Sequence, residues 1–184
     1  MRVIAGEFKG RSLLAPRGQS TRPTAERVRE AIFSMLGAYF DGGVCLDLFA
    51  GSGALGIEAI SRGVDSAVFV DQSTAGVIRN NLHSLGAQTR ARVLPKFHHA
   101  ALSRLAKEGV QFDLVFLDPP YRLGLLPQTL AILVEKDLLC AEGTVVAEMD
   151  AKTPLPEQPA LNLQRVAVYG SVKVAIYRFA ARSD

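Results

Sequence analysis

Apolar and polar positions repeat at two different periods along this chain, and the changes of period mark out its elements. Residues 1–22 carry short alternating apolar stretches interrupted by Gly6, Gly10, Pro16 and Gly18, which predicts an extended arm with a small hairpin and no helix. From Thr24, a residue able to cap a helix, Val28, Ile32, Met35 and Leu36 recur at i, i+4, i+7 and i+8. One face of that helix can pack on a core while Arg22, Arg27, Arg29 and Glu30 point away from it, and Asp41-Gly42-Gly43 ends it. Strands are then predicted at Val44–Phe49, Ala67–Val70, Arg92–Leu94, Phe112–Leu117 and Gly143–Glu148. Between them lie helices at Ala54–Arg62, Ala75–Leu85, Ala100–Lys107 and Leu125–Val134. This alternation predicts right-handed crossovers and a mostly parallel sheet covered on both faces. After Pro154, Pro156 and Pro159, the β-rich runs Arg165–Tyr169 and Val172–Phe179 flank Gly170-Ser171, which is the signal of an antiparallel hairpin. The expected fold class is therefore α/β and Rossmann-like: seven strands, mostly parallel, closing in a C-terminal antiparallel hairpin.

Size and composition narrow this further. The 184 residues suit one domain, and 48% hydrophobic content supports a packed core. No apolar run reaches the roughly 18–20 residues of a membrane span, and Glu7 interrupts any signal-peptide core, so no membrane is expected. Cys45 and Cys140 lie far apart in apolar stretches, as two reduced core thiols would, which points to the cytoplasm. With His83, His98 and His99 they show no metal-ligand spacing, and no metal is expected. Charge is uneven. Residues 1–30 hold seven basic and three acidic residues, +4, whereas the remainder sums to −1. A basic segment on a near-neutral body suits a phosphate-backbone partner, and equally a solvated tail. The division expected is a basic N-terminal extension at 1–22 and one catalytic domain at 23–184.

Two motifs carry chemistry. Gly51, Gly53 and Gly56 form G-x-G-x-x-G directly after a predicted strand and before a helix. Glycines there allow a tight turn and close approach of backbone to a nucleoside-type ligand, although a plain strand-to-helix connection has the same look. Asp71 ends the next strand, 20 residues after Gly51, where a carboxylate can accept both ribose hydroxyls. Asp47, four residues before Gly51, separates the possible ligands. Its charge would repel a dinucleotide's pyrophosphate and welcome a cationic amino group. The lysine of a nucleotide-triphosphate loop is missing as well. S-adenosylmethionine, with a ribose, no phosphate and a cationic amino-acid end, fits this pattern better than NAD.

The second motif is Asp118-Pro119-Pro120-Tyr121, directly after the Phe112–Leu117 strand and so on the same rim as Gly51 and Asp71. Asp118 can accept from an exocyclic amine, Pro119 offers a carbonyl not spent on regular structure, and Tyr121 gives a ring face for an unstacked base.

Together these residues resemble a class I S-adenosylmethionine-dependent methyltransferase, in which (D/N/S)-P-P-(Y/F) marks methylation of amino nitrogens in nucleic acid. The likeness is closer still to the bacterial RsmD family, which methylates guanine N2 in small-subunit (16S) ribosomal RNA. It is carried by Arg2-Val3-Ile4-Ala5-Gly6 with Gly10-Arg11, Arg22-Pro23-Thr24 to Arg29-Glu30, Asp47–Gly53, Asp118–Tyr121 and the C-terminal hairpin, so it spans essentially the whole chain. The resemblance implies Asp118, Pro119 and Tyr121 as catalytic residues, and S-adenosylmethionine held by Asp47, Gly51, Gly53 and Asp71. Where such enzymes often place Asp or Asn to meet the adenine amine, this chain reads Lys96-Phe97-His98-His99-Ala100, leaving His98 and His99 as candidates. Arg11, Arg22 and Arg29 are the expected RNA contacts. The expected partner is small-subunit RNA, naked or within an assembling 30S subunit, met by a monomer. An adenine-N6 nucleic-acid methyltransferase, an NAD-dependent oxidoreductase and a non-catalytic RNA-binding module that holds S-adenosylmethionine remain as alternatives.

Overall fold

A computed structural model describes residues 1–16 and 23–180. Seven strands form one sheet: β1 (Val44–Leu48), β2 (Ser66–Val70), β3 (Ala91–Leu94), β4 (Phe112–Leu117), β5 (Leu139–Asp150), β6 (Leu161–Tyr169) and β7 (Val172–Phe179). Their spatial order is β3-β2-β1-β4-β5-β7-β6. Strands β1 to β5 pair in parallel, and β7 is antiparallel to both β5 and β6. β7 thus fills the space between β5 and β6 against the direction of the rest, as the hairpin through Gly170 requires. Helices α1 (Pro23–Leu36), α2 (Ala54–Ser61), α3 (Ala75–Leu85), α4 (His98–Lys107) and α5 (Leu126–Glu135) supply the cover.

The sheet divides the core in two because successive side chains leave a strand on opposite faces. Cys45, Phe69, Phe116, Val146 and Val174 face a cluster shared with Ile32 and Phe33 of α1 and Ile57 of α2. Leu46, Leu48, Val115, Leu117 and Ala147 face the other, shared with Leu102 of α4 and Leu130 of α5. Continuous apolar strands such as Phe112–Leu117 are what a sheet buried on both sides demands.

Four elements start two or more residues before the expected position. α1 begins at Pro23, whose fixed φ suits a first helical residue, so Thr24 lies inside the helix rather than before it. α4 begins at His98 rather than Ala100, which puts both histidines in its first turn. β5 begins at Leu139 and β6 at Leu161, both earlier than the alternation suggested. Finally, residues 1–13 do form a small hairpin, with Arg2 bridged to Ser12, and it is built into the core. Val3, Phe8 and Leu13 are buried in the α1/α2 cluster.

Charge inside the protein holds that hairpin in place. Glu58 of α2 is wholly buried; it accepts the backbone N–H groups of Ile4 (2.8 Å) and Ala5 (2.9 Å) and pairs with Arg62 at 2.8 Å. The Arg62 guanidinium in turn lies 4.7 Å from the centre of the Phe33 ring and donates to the Ala38 carbonyl. Asn81 of α3 ties the hairpin's end to the glycine turn: it exchanges hydrogen bonds with Leu14 and donates to the Ser52 carbonyl at 2.9 Å.

Candidate active site

The glycine turn grows out of β1. Phe49, directly after the strand, has φ 67, a left-handed conformation costly for a non-glycine residue, and is held by its N–H on the Val70 carbonyl. The glycines divide their work. A side chain on Gly53 or Gly56 would press on Phe69, and on Gly56 also on Asp47, so these two permit α2 to pack against the sheet. Gly51, at φ +56, faces open space and leaves backbone free for a ligand to approach. α2 therefore starts at the carboxyl edge of β1, beside the β1–β4 boundary where the strand order reverses and ligands bind in open α/β sheets.

Asp71 buttresses this turn. One of its carboxylate oxygens accepts from Gly51 N–H at 3.0 Å; the other accepts from Ser73 (2.9 Å) and Thr74 (3.0 Å) at the start of α3. Three of roughly four acceptor positions are thus taken, so Asp71 shapes the turn and keeps little capacity for hydroxyls. Asp47 is 2% exposed and accepts one hydrogen bond, from Gly56 N–H at 2.9 Å. Burial pushes its carboxyl up to about 8; that hydrogen bond works against the shift, and repulsion from Asp118 and Asp71 adds to it.

Asp118 follows β4. Its carboxylate opens to solvent on one side with protein packed around the rest, and that burial pushes it up to about 6. Among the described residues it accepts no hydrogen bond, and the Pro119 carbonyl accepts none either, whereas the Pro120 carbonyl is taken by Leu123 N–H. Tyr121 opens a single 3-10 turn and is 37% exposed. Burial and the nearby acids Asp118, Glu148 and Asp150 raise its phenol, so it stays neutral. Beside it lies an apolar recess of about 310 Å³ lined by Pro119, Tyr121, Leu125, Met149 and Leu155. A recess of about 400 Å³ at the opposite end of the strands, lined by Gly43, Asp113 and Thr144, contains none of the expected site residues.

At the end of β3, His98 lies 5.0 Å from Phe49 and His99 stacks on Phe97 at 5.9 Å, ring centre to ring centre. These rings make an aromatic wall on the same rim as Asp71. Burial, then the neighbouring His99, lowers the basicity of His98, which favours a neutral ring.

The structure brings Asp47, Gly51, Gly53, Asp71, His98, His99, Asp118, Pro119 and Tyr121 to one edge of the sheet. It does not gather the arginines there. Arg29, expected to project outward, is 5% exposed and donates to the Arg2 carbonyl at 2.6 Å. Burial lowers its pKa against the attraction of Glu58, Glu26 and Glu30. Its helical position was read from the Val28–Leu36 stripe alone, and the hairpin that covers it is visible only in three dimensions. Arg11 is exposed but donates to the Ser84 carbonyl, in the last turn of α3 and thus a helix length, about 16 Å, from the end near Asp71. Arg22 lies outside the described residues. Sequence reading also left Glu148 without a role; it had only marked the end of a strand.

The sheet order, with β7 reversed at one side and a glycine turn opening α2, is that of a Rossmann-like class I methyltransferase. Residues 1–178 match the family described as conserved hypothetical protein 95, and the chain belongs to that family, the RsmD family its motifs resemble. It is 46% identical over 181 residues to "Putative rRNA methyltransferase YlbH" of Bacillus subtilis, covering 97% of this chain and 98% of that one. It is 37% identical over 187 residues to "Ribosomal RNA small subunit methyltransferase D" of Escherichia coli, covering 100% of this chain and 92% of the relative. A solved structure, "Putative methyltransferase yhhF from Escherichia coli", superposes with a TM-score of 0.85 at 38% identity and covers 99% of both chains.

Proposed function

We propose that this protein transfers a methyl group from S-adenosylmethionine to the N2 amine of a guanine in small-subunit ribosomal RNA, in the cytoplasm. The observation that carries the reading is the pair of unused acceptors, the Asp118 carboxylate and the Pro119 carbonyl, beside an exposed tyrosine and one strand from the glycine turn.

The cofactor suits the residues present. Asp47 is a buried carboxyl with one hydrogen bond and no ion pair among the described residues, so it gains from a cationic amino group. Gly51 leaves room for backbone to meet a ribose, Asp71 has one acceptor position to offer it, and the Phe49, Phe97, His98 and His99 rings suit an adenine. A pyrophosphate would meet Asp47 without a compensating cation, which disfavours NAD. S-adenosylmethionine, when bound, supplies an activated methyl on sulfur.

The chain's own part is to present the nitrogen. An aromatic amine is a poor nucleophile because its lone pair is spread into the ring. Accepting its two N–H bonds at Asp118 and at the Pro119 carbonyl holds the nitrogen pyramidal, which localises the lone pair on it, and stabilises the positive charge that develops there. The methyl–sulfur bond would break as the C–N bond forms, leaving neutral S-adenosylhomocysteine; nitrogen then holds one proton too many, and a carboxyl held up to about 6 can take it and release it to water. Tyr121 stacks on the extruded base, whose removal from its stack costs a few kcal/mol. Exposed basic residues of the N-terminal segment, Arg2, Lys9, Arg11 and Arg27, offer the RNA backbone its countercharge.

The test is labelled-methyl transfer to small-subunit particles from cells lacking this protein, followed by nucleoside analysis. N2-methylguanosine is expected; N6-methyladenosine would overturn the base assignment. A thermal shift with S-adenosylhomocysteine and none with NAD supports the cofactor assignment, and the reverse pattern would overturn it.

A further inference from the structure

Two adjacent carboxylates stand at the rim where one would serve to hold an amine. β4 and β5 are parallel with Leu117 opposite Ala147, so Asp118, the first residue after β4, and Glu148 of β5 follow directly on a paired position, roughly 5 Å apart at the backbone. They also leave the sheet on the same face. Each lies two residues beyond a member of the α1/α2 core cluster, Phe116 for Asp118 and Val146 for Glu148. Glu148 is half-buried, and among the described residues its carboxylate has neither a hydrogen-bond donor nor a cation. Burial first, then repulsion by Asp118 and more weakly by Asp47, raises its carboxyl well above the usual range.

Such a pair costs stability and packs no better than an apolar residue would. It becomes favourable when a ligand arrives with two adjacent donors. Among bases that carry an exocyclic amine, guanine alone presents that pattern, with N1–H beside the N2 amine. Adenine and cytosine set a bare ring nitrogen beside theirs, and its lone pair would face the second carboxylate. Asp47, on β1 below the glycine turn, is already matched to the amino-acid end of the cofactor, and Glu148 lies on the far side of β4 from it.

We infer that Glu148 is the specificity-determining residue of this site, accepting the N1–H of the target guanine while Asp118 engages its amine. The inference rests on the methyl-transfer reading above and adds the choice of base to it. Glu148 takes no part in breaking the methyl–sulfur bond or making the C–N bond, so its loss changes which base is accepted before it changes the chemistry.

The experiment uses reconstituted small-subunit particles whose RNA is ligated to carry, at the mapped methylation position, either guanine or 2-aminopurine. The analogue keeps the C2 amine but has a bare N1. Assayed on the alkaline side, where Glu148 ionises, the wild-type protein is expected to favour guanine by at least about a hundredfold in kcat/KM, because a half-buried carboxylate facing a bare N1 is left unmatched. In Glu148→Gln the amide can donate to a bare N1, so the preference should fall to within about tenfold or invert. Affinity for S-adenosylhomocysteine should stay unchanged in that variant, and Glu148→Asp should restore the preference for guanine. A guanine preference unaltered in Glu148→Gln would overturn the inference while leaving methyl transfer intact. No N2-methylguanosine from the wild-type protein on the guanine particles would overturn the methyl-transfer reading, and this inference with it.

Discussion

Two regions of this molecule hold acidic side chains packed within or against the fold, and they do so to opposite ends. Under the N-terminal hairpin, both carboxylate oxygens of Glu58 are in use, with two backbone N–H groups and Arg62 around them. At the carboxyl edge of the sheet, Asp47 has one hydrogen bond, and Asp118 and Glu148 have none from described residues. The first arrangement fixes a position. The second holds carboxyls whose ionisation carries a cost that only an incoming cation or donor relieves, which is why Asp47 and Asp118 sit at about 8 and about 6. Of these four acids, the satisfied one fixes structure and the three unsatisfied ones gather at the candidate site.

The largest test of that contrast is Glu58→Ala. It leaves Arg62 buried without its partner and two N–H groups without acceptors, so a loss of about 3–5 kcal/mol is expected in urea unfolding. A loss below about 1 kcal/mol would mean that the hairpin is held by Val3, Phe8 and Leu13 alone. At the other region, Asp118→Ala, which removes the acceptor altogether, should lower kcat by about 10²–10³ while leaving S-adenosylhomocysteine affinity unchanged. Retained activity would remove Asp118 from the reaction.

Asp47→Asn sets function and stability against each other. Between the ordinary carboxyl range near 4 and about 8, the folded protein holds a proton on Asp47 that the unfolded chain has released. Stability therefore falls as pH rises through that window and is flat outside it. Asparagine removes the decline. The variant should be more stable than wild type by about 1–3 kcal/mol at pH 9, with the gain fading towards pH 4, and should bind cofactor at least about tenfold more weakly. Equal stability at pH 9 would show that Asp47 is not held at a cost. The smallest effect belongs to Arg11→Ala, on the exposed side of the hairpin. If Arg11 meets RNA, the slope of log affinity against log salt should fall by about one, with stability changed by less than about 0.5 kcal/mol. An unchanged slope would leave Arg11 as a clasp on Ser84.

Much of this was legible in the chain itself. Strand β4 was readable to the residue because a strand buried on both faces must be apolar throughout, and Phe112–Leu117 is apolar at every position but Asp113. The glycine turn was readable because Gly51, Gly53 and Gly56 fall between a strand and a helix. Asp118–Tyr121 was readable because a loop after a parallel strand opens on the ligand edge. Arg29 misled for the same local reason: helical spacing says which residues share a face, and a second element can still close over the face left outside. Glu58 and Asn81 gave no signal, since each acts on backbone more than fifty residues away in the hairpin.

The sequence by itself determined the alternation of strands and helices, the glycine turn and the order of chemistry along the chain, because these depend on period, chirality and short-range sterics. Only the tertiary structure decided that the basic first residues form a docked hairpin and that Arg29 is interior. It also decided that Glu148 stands beside Asp118. That last point depends on the register between β4 and β5, where a shift of one residue would turn Glu148 to the opposite face, and register is set by the packing of both cores at once.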